Sequence, residues 1–119
     1  MNEVEPRGLT SSEAAIIEKV LTSGDFVGAP ELQRQIQSTR VAGGLSTLLD
    51  LKVDHPAARS PAANGPVPVR AVVRRHGKVI GEILVWVEEG FLAGLEFAWV
   101  SDAEPVEFPL PSDVRVDIS

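Results

Sequence analysis

Between Val67 and Val100 three apolar-rich runs are separated by Arg75-His76-Gly77 and Glu88-Glu89-Gly90. Alternation with a period of two predicts strands, and short breaks that end in Gly predict hairpins. This meander constrains the fold most, because a one-residue slip in register exchanges the two faces of the sheet. With three-residue turns that place each Gly in the left-handed region, Val73 faces Val79, Ala71 faces Gly81 and Val69 faces Ile83. Across the second turn Val87 faces Phe91, Val85 faces Ala93 and Ile83 faces Leu95. One face then carries Val79, Ile83, Val85, Val87, Phe91, Leu95, Phe97 and Trp99. The other carries Ile80, Leu84, Trp86, Leu92 and Val100, interleaved with Glu82, Glu88 and Glu96. Two-residue turns would set Glu82 against Ala71 and Phe97, and Glu96 against Ile83, burying carboxylates without partners. Three-residue turns are therefore the expectation.

The rest of the chain predicts an α+β fold. Residues 1–8 read as a disordered lead-in, and residues 9–119 as a single α+β domain. Thr10-Ser11-Ser12-Glu13 has the spacing of a capping box. Ala14, Ile17, Val20 and Leu21 follow on one helical face, and Gly24 ends the helix. A second short helix starts at Pro30, with Glu31 in its first turn and Leu32 and Ile36 on its buried side. Ser38–Ala42 then forms a short strand, and Gly43-Gly44 a turn or bulge. In Leu45–Asp54 the residues Leu45, Thr47, Leu49, Leu51 and Val53 share one face of a half-buried strand. His55–Pro66, rich in Pro and Ala and containing Asn64-Gly65, reads as a mobile surface loop. Asp102–Pro111 holds three prolines and is no central strand, and Ser112–Ser119 alternates as a last one. The expectation is two short N-terminal helices on one face of a mostly antiparallel, meander-type sheet of about five strands.

The segments "PELQRQI", "VAGG" and "GEILVWVEEGFLAGLEFAWV", followed by an acidic, proline-containing stretch, give the chain a distinctive layout. By that layout, over roughly Phe26 to Val114, it resembles small bacterial proteins of unknown function. Those relatives carry cysteines before the strand that ends at Asp54, where this chain has Gly43, Gly44, Leu45 and Ser46. The resemblance therefore implies no thiol or metal role here, and no activity.

Several function classes are disfavoured by composition. The 119 residues contain no cysteine, which excludes disulfides, a thiolate zinc site and a cysteine nucleophile. With two histidines and no tyrosine, acid–base candidates are few. Asp50, Asp54 and His55 lie close in sequence, yet the two aspartates are about 13 Å apart at strand rise. Neither a metal nor a cofactor is expected. His76 belongs to a turn among cations, and Gly43-Gly44 lacks the lysine of a phosphate loop. A net charge of −6 argues against general nucleic-acid binding. The N-terminus has no apolar signal-peptide core, and no uncharged run reaches membrane-spanning length, so a cytoplasmic protein is expected, with no membrane partner.

What stands out is the second sheet face. Ile80, Leu84, Trp86, Leu92 and Val100 put large apolar groups on a side that two short helices, placed on the first face, do not reach. The leading expectation is a non-enzymatic interaction or accessory module that forms a homodimer through this face. A second feature is charge segregation. Arg70, Arg74, Arg75 and Lys78 collect around the first hairpin and offer a weak anion- or partner-binding site. The acidic C-terminal part offers a surface for a basic protein partner. The alternative is a ligand-binding or enzymatic cone-like domain with a cavity between helices and sheet, which requires Glu82, Glu96 or similar groups to point inward.

Overall fold

The computed structural model describes residues 3–54, 57–100 and 108–117. The chain runs β1 (Arg7–Gly8), α1 (Ser11–Ser23), α2 (Ala29–Gln35), β2 (Thr39–Leu45), β3 (Leu48–Val53), β4 (Gly65–Pro66), β5 (Arg70–Arg75), β6 (Lys78–Glu88), β7 (Phe91–Trp99) and β8 (Val114–Asp117). The capping box predicted for α1 is formed: Thr10 Oγ1 accepts from the Glu13 amide, and the Glu13 carboxylate accepts from the Thr10 amide. Ile16, Ile17, Val20 and Leu21 of α1 and Leu32 of α2 are fully buried. A 3-10 turn, Ile36–Ser38, leads from α2 into β2, and a second, Pro111–Asp113, precedes β8, so helical turns are not confined to the N-terminal part.

Among the described residues the sheet is antiparallel, with eight strands instead of about five, in the order β1-β2-β3-β7-β6-β5-β8; β4 pairs with β6 beside β5. Two local features account for the extra strands. Arg7–Gly8, in the expected lead-in, pairs with Arg40 and Val41. Gly65–Pro66 lies against Val87 and Trp86. Gly43-Gly44 sits beside a bulge inside β2, and the reversal falls at Ser46-Thr47, so the expected strand Ser38–Ala42 runs on to Leu45 and the expected strand Leu45–Asp54 begins at Leu48. The topology also departs from a simple meander, because β3 pairs with β7, far along the chain.

The hairpin turns correct the expected register. Arg75 pairs with Lys78 and Glu88 with Phe91, leaving two-residue turns. Both central residues of each turn have positive φ: His76 and Gly77 in the first, Glu89 and Gly90 in the second. That is the type I′ pattern, whose twist matches paired strands. No carboxylate is buried by it, because a bulge follows each turn. Arg74 pairs with Val79 but Val73 with Gly81, so Ile80 is the extra residue. Val87 pairs with Leu92 but Trp86 with Gly94, so Ala93 is the second one. Each bulge restores the alternation that the turn had inverted. Beyond them Ile83, Val85, Leu95 and Phe97 lie in the core with the helices, as expected, while Glu82 sits opposite Val72 and Ala98.

Between turn and bulge the faces are exchanged. Val79, expected inside, is 46% exposed, and Leu92, expected outside, is 1% exposed. The segment expected to be a mobile loop is also tied down. The Ser60 amide donates to Gly90 O, and its hydroxyl donates to Gly28 O. The Gln35 carboxamide, fully buried, donates to Ala58 O and Gly90 O and accepts from the Leu92 amide. No described helix is long and apolar enough to cross a membrane.

Candidate functional site

The helices occupy one side of the sheet, and the other side is the candidate site. Strand alternation and the pairings place Val72 and Arg70 of β5, Glu82, Leu84 and Trp86 of β6, Gly94, Glu96 and Ala98 of β7, and Leu48 and Asp50 of β3 on this outer face. Leu48 is 39% exposed, Leu84 and Trp86 are half-buried, and Val72 is buried outside the main core cluster.

Trp86 is held in a defined position. It pairs with Gly94, where a built Cβ would lie 3.4 Å from Trp86 Cβ and Cδ1, so the missing side chain makes room for the indole. Its Nε1 donates to Glu96 Oε1 at 3.0 Å. The polar edge of the ring is thereby satisfied by the protein itself, and its apolar body remains on the surface.

Charge on this face is sorted by strand. The central strands β6 and β7 carry Glu82, Glu88 and Glu96. Flanking positions carry Arg70, Arg74 and Arg115 on one side, and Arg40 and Lys52 on the other, with Asp50 beside them. One pair bridges these groups within the chain, Arg70 Nε to Glu82 Oε1 at 3.4 Å, and it is exposed. Such a pair contributes little to stability.

The structure redistributes the residues expected to form the interface. Leu84 and Trp86 are on the outer face. Leu92 is not: the inverted alternation beside the Ala93 bulge turns it into the core, where Gln35 binds its amide. Ile80, the bulge residue of β6, is half-buried and packs against the core. Val100 lies just past the end of β7 and is 71% exposed. Sequence reasoning missed Leu48 and Val72. Leu48 was legible as the apolar exception on the polar side of its strand.

The hairpin cations do not converge. Arg70 and Arg74 lie on the outer face, whereas Arg75 pairs with Lys78 and reaches Asp113 at 3.4 Å. Arg75, His76 and Asp113 line a cleft of about 570 Å³ against the start of α1. The acid at that helix start is already engaged: Arg7 grips Glu13 with two contacts of 2.8 Å. Glu82 and Glu96 face away from the helices, so neither points between helices and sheet. Among the described residues no three His, Cys, Asp or Glu side chains gather at metal-binding distance. His55, one of the three residues considered above for a metal, lies outside the described residues. No protein-family model matches this chain, nor does any curated protein or solved structure.

Proposed function

We propose that this chain is a non-enzymatic interaction module that self-associates through the outer face of its sheet. The supporting observation is a positioned tryptophan on a sheet face that no described helix covers. Trp86 and Leu84, flanked by the exposed Leu48, form an apolar centre of the kind that anchors interfaces. The occupant that fits is a second copy. Acidic residues occupy the middle of the face and basic residues its flanks, so two faces crossed about a two-fold axis set the flanking arginines of one over the glutamates of the other. A net charge of −6 repels two copies at long range, which makes these arginines necessary to the contact. The cytoplasm suits such a module, and a cysteine-free chain is compatible with it.

Size-exclusion chromatography with light scattering tests this reading. The parent protein is expected to exceed the mass of one chain, and Trp86→Glu to lower that mass by one association step while circular dichroism stays unchanged. A parent with the mass of one chain overturns the proposal, as does a folded Trp86→Glu protein with the parent's mass. A basic protein partner in place of a second copy corresponds to the first of those outcomes.

A further inference from the structure

Residues 3–8 run along the outside of β2. Arg7 and Gly8 pair with Val41 and Arg40, the Val4 amide donates to Gly44 O at 2.9 Å, and Glu3 forms a bridge with Leu45. Among the described residues no other strand lies against that side of β2, which is seven residues long. A bare edge of that length invites pairing with another chain, and a short covering segment guards it.

The guard is held chiefly by one side chain. Glu5, Pro6 and Gly8 are exposed, Val4 is half-buried, and Pro6 has no amide to add to a ladder. The Arg7 guanidinium makes the firm contact. It donates twice to the Glu13 carboxylate, at 2.8 Å each, and once to Gly8 O at 2.9 Å. Two-pronged pairs of this kind are strong and geometrically exacting. Glu13 is 6% exposed, and its third hydrogen bond among the described residues comes from the Thr10 amide. Departure of Arg7 therefore strips a buried carboxylate of two donors, which opposes opening.

Behind Gly8 the chain is anchored independently. Leu9 packs against the core, and the Thr10 hydroxyl caps α1. Gly8 itself has nothing within 4 Å of a built Cβ, so a pivot there is uncrowded.

We propose that residues 3–8 are a strap that opens as a unit about Gly8, with Arg7–Glu13 as its latch, and uncovers the edge of β2 while the rest of the domain stays folded. The latch then sets how often the chain presents a pairing edge. This device lies at the end of the sheet and does not depend on the outer-face contact.

Hydrogen exchange at the Val4 amide in the full chain tests this, because that amide is released from Gly44 O only when the strap lifts. The Leu92 amide, held by the buried Gln35, serves as the reporter of global unfolding. Local opening exposes little surface, so Val4 exchange is expected to change little with urea below the unfolding transition, while Leu92 exchange rises steeply. Glu13→Gln keeps the capping box, since glutamine accepts from the Thr10 amide as glutamate does. Arg7→Lys keeps the positive charge and loses the two-pronged geometry. Each is expected to speed Val4 exchange by roughly tenfold, three residues away from the altered latch. Thr10→Ala, which weakens the helix cap and leaves the latch, is expected to lower the urea midpoint with no matching rise at Val4. Val4 exchange that climbs with urea in step with Leu92 overturns the proposal. So do latch variants that exchange at the parent rate, and a Thr10→Ala protein that speeds Val4 as much as they do.

Discussion

The Trp86 indole lies against Gly94 of the neighbouring strand and donates to the Glu96 carboxylate, which reaches it diagonally from two residues along. Glu96 is thus an acceptor for a surface aromatic, and the role needs an oxygen more than a charge. Glu96→Gln is expected to leave stability nearly unchanged. Glu96→Ala, which removes the acceptor, is expected to cost about 1 kcal/mol. Urea denaturation of both variants checks this, and equal losses would show that charge matters instead.

Arg7 and Glu13 give the chain a defined acid sensitivity. Burial by itself raises the Glu13 carboxyl, but hydrogen bonds from Arg7 and from the Thr10 amide, with the nearby positive charge, outweigh it and hold the group below its ordinary value. A group lowered on folding contributes stability that is complete above its unfolded value, about 4.3, and is lost as pH falls through the folded one. The urea midpoint of the parent is therefore expected to fall more steeply below about pH 4.3 than that of Glu13→Gln. At pH 7 Arg7→Ala is expected to cost about 1–3 kcal/mol, because it strands a buried carboxylate.

Which side of each strand faces the helices was readable from the sequence, whereas the turns were not. Alternation alone separates Ile83 and Val85 from Leu84 and Trp86, and any pairing that keeps glutamates out of the core must keep that separation. The same condition is met by three-residue turns and by two-residue turns with a bulge behind them, so it does not choose between them. His76 and Glu89 take positive φ, which their side chains disfavour, and the backbone twist of the hairpin decides the matter. The cost of missing the bulges was local: Val79, Phe91 and Leu92 changed sides, and Leu92 left the candidate interface. Arg7 carries no local signal, because its partner is a helix start that only the β1–β2 pairing brings within reach. Gln35 did carry one. It stands three residues after Leu32 on the buried side of a helix, and a polar group there implies backbone partners.

Gln35 links three segments, which predicts two separable effects of removing it. Gln35→Leu is expected to destabilise the protein by about 1–3 kcal/mol for each backbone group it leaves unpaired. Leu92 N and Ala58 O lose their side-chain partner, while Gly90 O keeps the Ser60 amide. Residues 57–64 should also become easier to cleave under native conditions, because one of their tethers is gone. Limited proteolysis with mapping of the cut site tests this against the general loss of stability, which would expose all sites alike.

Gly77 and Gly90 occupy the same place in their two turns, at φ +77 and +84, and a comparison between them separates backbone strain from crowding. A side chain at either position meets the left-handed penalty, about 1–2 kcal/mol. At Gly77 nothing lies within 4 Å of a built Cβ. At Gly90 that Cβ would overlap Arg59 Cγ and lie 2.6 Å from Ser60 O, so the loop tethered there must move. Gly77→Ala is expected to cost about the strain alone. Gly90→Ala is expected to cost clearly more and to loosen the hydrogen bond from the Ser60 amide, which slows exchange of that amide in the parent. Matched denaturation curves and hydrogen exchange at Ser60 measure both quantities. Equal losses for the two variants would mean that residues 57–64 do not press on the β6–β7 turn in solution.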